Sequence, residues 1–192
     1  MLAFEYSEKE REEMKTMNSR VTGGFLRGRE IISPESDKTH PMGSRERLAV
    51  LNMIGPNING AKVLDLFAGT GALGIEALSR GANHVSFVEK NHKTATVLRK
   101  NLSTLGLEDI SVVYEKDVEA VELENDFNFV FIDPPYDLID NFDIKSLLEK
   151  YNNAEKIILS HPAGFECDLK GFDKKTKTYA AANITTFTKQ IN

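Results

Sequence analysis

From residue 61 onward the chain alternates short apolar runs with stretches of helical periodicity, and this alternation limits its fold more than any other feature. The runs at 62–67, 85–89, 110–114, 127–133 and 156–160 read as strands. Between them, 72–80, 92–104 and 143–150 read as helices. Strand, helix, strand in series closes as a right-handed crossover, which builds a parallel sheet clothed by helices. The tail over 174–190 carries threonines and aromatics and reads as a closing hairpin. The expectation is an α/β fold with a doubly wound, mostly parallel, seven-stranded sheet. Ligands of such sheets bind beyond the carboxyl ends of the strands, so function is read from the strand-to-helix loops.

Three segments precede this pattern. Residues 7–17 read as a charged, loosely amphipathic helix, with Ser7 and Glu10 at capping-box spacing. Residues 1–19 are read as a leader, with Met14 or Met17 as alternative starts. Arg20–Ser33 reads as short strands broken by glycine turns, and residues 20–43 as a β arm ending in a loop. Ser44 is expected to cap a helix over 45–55, with Leu48, Leu51 and Ile54 on its apolar side. Residues 44–192 then form the main domain.

Composition excludes several classes. One cysteine, Cys167, cannot form an internal disulfide, and four scattered histidines without a cysteine cluster exclude a structural zinc. Cys167 has no base near it in sequence and is a poor nucleophile. His84, His92 and His161 read as surface or strand-end residues. No apolar run reaches the roughly 18 residues of a membrane span, and the acidic N-terminus is no secretory signal. A cytoplasmic protein without a membrane partner is expected. The net charge of −5 argues at first against nucleic acid. The acidity is local, however: residues 115–140 hold nine acids and one base. The arm around Arg20, Arg27, Arg29, Arg45 and Arg47 is mildly basic.

The first loop runs Asp65-Leu66-Phe67-Ala68-Gly69-Thr70-Gly71-Ala72-Leu73-Gly74. Gly69, Gly71 and Gly74 match G-x-G-x-x-G between a strand and a helix, the context that makes the motif informative. Such a loop holds a dinucleotide or a nucleoside. A carboxylate at Asp65 would repel pyrophosphate but could reach an ammonium group through water. Phe67 stands where dinucleotide binders favour small residues. Both suit the amino-acid half of S-adenosylmethionine. Glu89, with Lys90 beside it, ends the second strand and can take both ribose hydroxyls, a feature that fits NAD equally well. Asp117 could accept from the adenine amine with Val118 beside the ring, or could simply cap a helix.

The fourth loop carries Asp133-Pro134-Pro135-Tyr136 after the apolar run. An exocyclic amine on a nucleobase is a poor nucleophile, because its lone pair is delocalised into the ring. Two oxygen acceptors aimed at its hydrogens localise that pair. The Asp133 carboxylate is one, and the Pro134 carbonyl, fixed by Pro134 and Pro135, is the other. Tyr136 can stack on the base, worth roughly 1–3 kcal/mol. The target base must be flipped or unpaired to enter. Phe127, Phe129 and Phe131 read as packing residues.

With these residues the chain resembles the class I S-adenosylmethionine-dependent methyltransferases, whose fold is Rossmann-like, that act on exocyclic amines. Arg20-Val21-Thr22-Gly23-Gly24-Phe25-Leu26-Arg27-Gly28-Arg29 resembles the arm of the RsmD-type enzymes, which methylate N2 of a guanine in small-subunit (16S) ribosomal RNA. The resemblance spans roughly residues 20–190. It implies that Asp65, Phe67, Ala68, Gly69, Thr70, Gly71, Glu89, Lys90, Asp117 and Val118 bind S-adenosylmethionine, with S-adenosylhomocysteine as product. It implies that Asp133, Pro134, Pro135 and Tyr136 hold the amine. Arg20, Arg27, Arg29, Arg45 and Arg47 would contact RNA phosphate, or alternatively form surface salt bridges. The substrate would be 16S ribosomal RNA within the small subunit, met by a monomer. The chain departs from the family at His40, Ser44 and Leu48, where arginine, aspartate and glutamate are usual. It departs again at Ser160-His161, where many members have an acid. Asn52 falls where the family has an asparagine. Three other readings compete with it: an N6-adenine DNA methyltransferase, which shares the four-residue motif; a dinucleotide-dependent oxidoreductase, which gives Asp133–Tyr136 no task; and a non-catalytic RNA-binding module of the same fold, against which the intact Asp133-Pro134-Pro135-Tyr136 argues.

Overall fold

A computed structural model describes residues 18–33, 42–139, 142–179 and 182–190. The expected helix at 7–17 and most of the loop at 34–43 lie outside the described residues. Two short strands, β1 (Ser19–Arg20) and β2 (Glu30–Ile31), pair antiparallel to form the arm. Seven more build the central sheet: β3 (Lys62–Leu66), β4 (His84–Val88), β5 (Ser111–Tyr114), β6 (Phe129–Ile132), β7 (Lys156–His161), β8 (Phe172–Thr178) and β9 (Asn183–Lys189). Their order in space is β5-β4-β3-β6-β7-β9-β8. Strands β3 to β7 run parallel, and β9 closes antiparallel between β7 and β8. The seven-stranded α/β expectation is met.

Parallel strands are buried on both faces, which is why they read as continuous apolar runs. All four residues of β6 are at most 2% exposed. Phe129 and Phe131 point to one face, Val130 and Ile132 to the other, as a period of two requires. The first face is covered by α1 (Ser44–Ile54), α2 (Ala72–Ser79) and α3 (His92–Leu105). The second is covered by α5 (Ile144–Lys150), which follows the short α4 (Tyr136–Ile139).

Helix α1 departs from expectation in two ways. Its N-cap is Gly43, and Ser44 lies inside the helix, its hydroxyl accepting from Arg47 rather than from the backbone. Its buried stripe is Arg47, Val50, Leu51 and Ile54, while Leu48 is 39% exposed. Helical spacing from Ile54 back through Leu51 and Val50 reaches 47, not 48.

The arm is seated on the main body. Val21, Leu26 and Ile31 join the same apolar cluster as α1 and α2. Thr22 donates to Glu76 through its amide (2.6 Å) and its hydroxyl (3.0 Å). Glu76 is fully buried and faces Arg80. Phe25 N donates to Ser79 O (2.8 Å), and Ser79 Oγ bridges Gly23 O and Leu26 N. Gly24, at φ 78°, lies so close to this carbonyl that a Cβ would overlap it. Only glycine fits there.

Candidate active site

The chain lays β3, β4 and β5 outward in one direction, then returns to place β6 on the other side of β3. The crevice at this reversal is where doubly wound sheets bind ligands. Leu66 of β3 lies opposite Ile132 of β6. The next residues, Phe67 and Asp133, therefore leave adjacent strands side by side, about 4.8 Å being the usual strand spacing.

The glycine loop is held from all sides. Ala68 N donates to Val88 O (3.0 Å), Gly71 N to Ala68 O (2.8 Å), and Asn101 Nδ2 to Thr70 O (3.0 Å). Gly71 sits at φ 86° as the N-cap of α2, and a Cβ there would overlap Leu98 Cδ1. Gly74 lets α2 press against Phe87 of β4. Phe67 takes a left-handed φ of 58°, and its ring meets Phe142 edge-on at 5.5 Å.

The carboxylates around the loop brace it. Asp65, expected to face an ammonium group, is 2% exposed and accepts from Gly74 N at 2.9 Å. Burial raises its pKa well above the ordinary carboxylate value. Glu89 accepts from Gly69 N (2.9 Å) and Asn91 N (2.8 Å), and burial raises its pKa too. The Asp117 side chain accepts from Glu119 N at 3.2 Å within a turn, which lowers its pKa. Lys90 pairs with it at 3.3 Å, and Val118 is buried beside it.

In front of Gly69 the space is open, since a Cβ there would meet nothing within 4 Å. Glu89, bonded to Gly69 N, brings a carboxylate beside the loop backbone at this open space. That donor and acceptor set fits a cationic amino-acid group joined to a nucleoside.

Asp133-Pro134-Pro135 turns the chain from β6 into α4, and Leu138 N returns to Pro135 O at 3.0 Å. Tyr136 opens α4 half-buried, its hydroxyl 2.8 Å from Ser160 Oγ. Burial raises the Asp133 pKa to about 6, against a hydrogen bond from Ser160 and the charge of Arg47, which both lower it. Sequence reasoning gives Ser160 no part in the site. The signal that could have found it is a polar residue ending the apolar run of β7.

The arginines divide. Arg27 and Arg45 are exposed. Arg20 is exposed but paired with Glu30 at 2.9 Å, as the salt-bridge alternative has it. Arg29 is exposed and reaches Thr104 O at 3.4 Å. Arg47 is a correction: at 3% exposure it cannot meet RNA phosphate. Its guanidinium donates to Met42 O (2.8 Å) and Ser44 Oγ (3.2 Å) and faces Asp133 from within. His161 ends β7, as the strand-end reading has it, and is buried there, bonded to Thr185 Oγ1 at 2.8 Å. Burial pushes the Cys167 thiol up to about 11, which keeps it unreactive. No group of residues suited to a metal ion occurs among the described residues. Nor, among them, is any helix long and apolar enough to cross a membrane.

Comparison with known proteins agrees with this geometry. Residues 19–164 match the family model described as conserved hypothetical protein 95. YlbH of Bacillus subtilis (strain 168), which carries a provisional rRNA methyltransferase name, is 33% identical over 182 residues, spanning 89% of this chain and 99% of YlbH. Ribosomal RNA small subunit methyltransferase D of Escherichia coli (strain K12) is 38% identical over 118 residues. That match spans 61% of this chain and 60% of the relative. The solved structure of yhhF from Escherichia coli, provisionally described as a methyltransferase, superposes with a TM-score of 0.75 at 28% identity. It covers 90% of this chain and 98% of that one.

Proposed function

The chain belongs to the conserved hypothetical protein 95 family, and from that premise we propose that it transfers a methyl group from S-adenosylmethionine to N2 of a guanine in small-subunit (16S) ribosomal RNA. One observation carries the reading: Leu66 and Ile132 in register put the glycine loop and Asp133-Pro134-Pro135-Tyr136 at one crevice. A dinucleotide oxidoreductase needs the loop but not the second motif. The curated relatives named for ribosomal RNA favour RNA over DNA.

In this reading Gly69, Thr70 and Gly71 offer backbone to the cofactor. Glu89 meets its ribose, and Asp117 with Val118 its adenine. Phe67, Ala68 and Lys90 border it, and Asp65 holds the loop in shape. When bound, S-adenosylmethionine supplies a methyl carbon made electrophilic by a positive sulfur. The Asp133 carboxylate and the Pro134 carbonyl accept the two amine hydrogens and aim the nitrogen lone pair. Positive charge grows on that nitrogen as it is alkylated, and Asp133 offsets it. The proton leaves late, to Asp133 or to water. Tyr136, anchored through Ser160, lies under the base. The arm over 20–43 binds RNA through Arg20, Arg27 and Arg29, with Arg45 of the 44–192 domain alongside. Residues 1–19 are a leader. The protein works as a cytoplasmic monomer on RNA within the small subunit.

Small subunits from a strain lacking this gene, incubated with tritiated cofactor and the protein, are expected to take up label as N2-methylguanosine, read by mass spectrometry. Label on plasmid adenine instead would replace this reading with the DNA one. The acceptor role of Asp133 also fixes a pH dependence. With a pKa of about 6, Asp133 is a carboxylate above that pH and a neutral acid below it. The single-turnover rate is expected to fall as pH drops through about 6, losing up to tenfold per unit. A flat profile between pH 5 and 8 would remove the carboxylate from the chemistry.

A further inference from the structure

A cleft of about 440 Å³ lies away from the crevice, between α1 and the β9–β8 edge of the sheet. Its lining includes Asn52, Lys156, Lys175, Lys177, Tyr179 and Thr186, and no acidic residue lines it. Strand geometry explains the lining. Lys175 and Lys177 are two apart on β8 and share a face. Opposite them are Thr186 and Ile184 of β9, and beyond those Ile158 and Ser160 of β7. Met53 O of α1 accepts from Lys156 Nζ at 3.0 Å, which keeps that ammonium inside the cleft. Lys175 and Lys177 are exposed, with no ion-pair partner among the described residues. Lys174 points the other way and is taken up by Glu166 and Asp168.

The cleft lies two strands from a residue of the site. Lys177, Ile184 and Ser160 stand in one cross-strand row. Ser160 holds the Tyr136 hydroxyl. Two strand spacings, roughly 10 Å, separate the lysine row from that serine. The acidic stretch 115–140 begins where β5 ends, at the opposite edge of the sheet. Edge strands often carry lysine only to prevent pairing with other chains. That role needs neither a cleft nor an amide, hydroxyls and an aromatic ring around the charges.

We infer that this lysine cleft is a second RNA contact, holding the phosphate backbone that flanks the target base while the crevice holds the base itself. The inference rests on the reading of the substrate as RNA. Lysines act here as point charges on phosphate, Asn52 and Thr186 supply hydrogen bonds, and Tyr179 gives a base a face to stack on. An enzyme of net charge −5 thereby meets a polyanion with a locally positive edge.

The test measures binding separately from methyl transfer. End-labelled 16S ribosomal RNA transcript is titrated with the full chain by fluorescence anisotropy at 50–200 mM salt. In Lys175→Gln/Lys177→Gln the slope of log affinity against log salt is expected to shrink by about 1.4, or 0.7 for each phosphate no longer neutralised. Across that fourfold salt range the affinity loss then becomes about 7-fold smaller than in the wild type. Lys175→Glu/Lys177→Glu should weaken binding further. Lys145→Gln, on α5 across the sheet, should change nothing. Thermal stabilisation by S-adenosylhomocysteine reports that each variant is folded. An unchanged slope in both double variants overturns the cleft, whether or not the wild type methylates RNA. A wild type that transfers no methyl but shows the slope change keeps the cleft and discards the proposed reaction. A wild type that does not bind the transcript discards the cleft.

Discussion

Asp133→Ala is expected to lower the methyl-transfer rate by at least about 100-fold, the usual loss when one preorganised polar group is removed from a site of charge development. S-adenosylhomocysteine affinity should stay within about twofold, because the loss falls in the transition state and not in uniform binding. The reason is positional. Asp133 follows β6, whereas the loop assigned to the cofactor follows β3 and is braced by Asp65 and Glu89. Asp133→Asn tests the charge: its amide oxygen can still accept one amine hydrogen, but it cannot balance the cation or take the proton. It should lose nearly as much rate and also lose the fall in rate below about pH 6. Equal losses of cofactor binding and rate in Asp133→Ala would show that the residue shapes the crevice and does not act on the amine.

Gly71→Ala is expected to destabilise the molecule strongly. A non-glycine residue at φ 86° costs about 1–2 kcal/mol. The new Cβ also overlaps Leu98 Cδ1 of α3, and overpacking of this kind costs about 1–3 kcal/mol. Leu98 is fully buried, so it has little room to give way. The total of about 2–5 kcal/mol is a large share of a typical domain's stability, and Tm should fall on the order of 10 °C. Calorimetry of the variant beside Gly106→Ala separates the two costs. Gly106 is also left-handed, at φ 68°, but has open space around it. It therefore loses only the conformational share. If both variants melt alike, Leu98 repacks freely and the overlap costs nothing.

The parts of this architecture that are legible in sequence are those set by local physics. Buried parallel strands need unbroken apolar runs, so the five parallel strands can be read from sequence, with shifts only at their ends. The two motifs are legible because glycine permits and proline fixes backbone conformations that other residues do not. Arg47 is not. Arginine on a helix near the chain's start reads as a surface charge, and its burial depends on β6 and β7 lying beneath α1. Its spacing with Val50, Leu51 and Ile54 is nonetheless that of a buried stripe. The lysine cleft is illegible for a similar reason. Lys175 and Lys177 acquire α1 as a wall only when the antiparallel β9 brings the tail against β7. Glu89 and Asp65 show a third limit: sequence places their carboxylates at the loop but not the amides that occupy them.

Helix α2 ties the glycine loop to the arm. Gly71 at its N-cap shapes that loop, while Glu76 and Ser79 further along hold the arm. Eight residues at 1.5 Å each make a strut about 12 Å long. Adding or removing one residue between Gly71 and Glu76 would swing the arm's anchorage about 100° around the strut's axis. The helix therefore acts as a gauge block: its length sets where the arm stands relative to the glycine loop, and natural relatives should vary in its composition but not in its count.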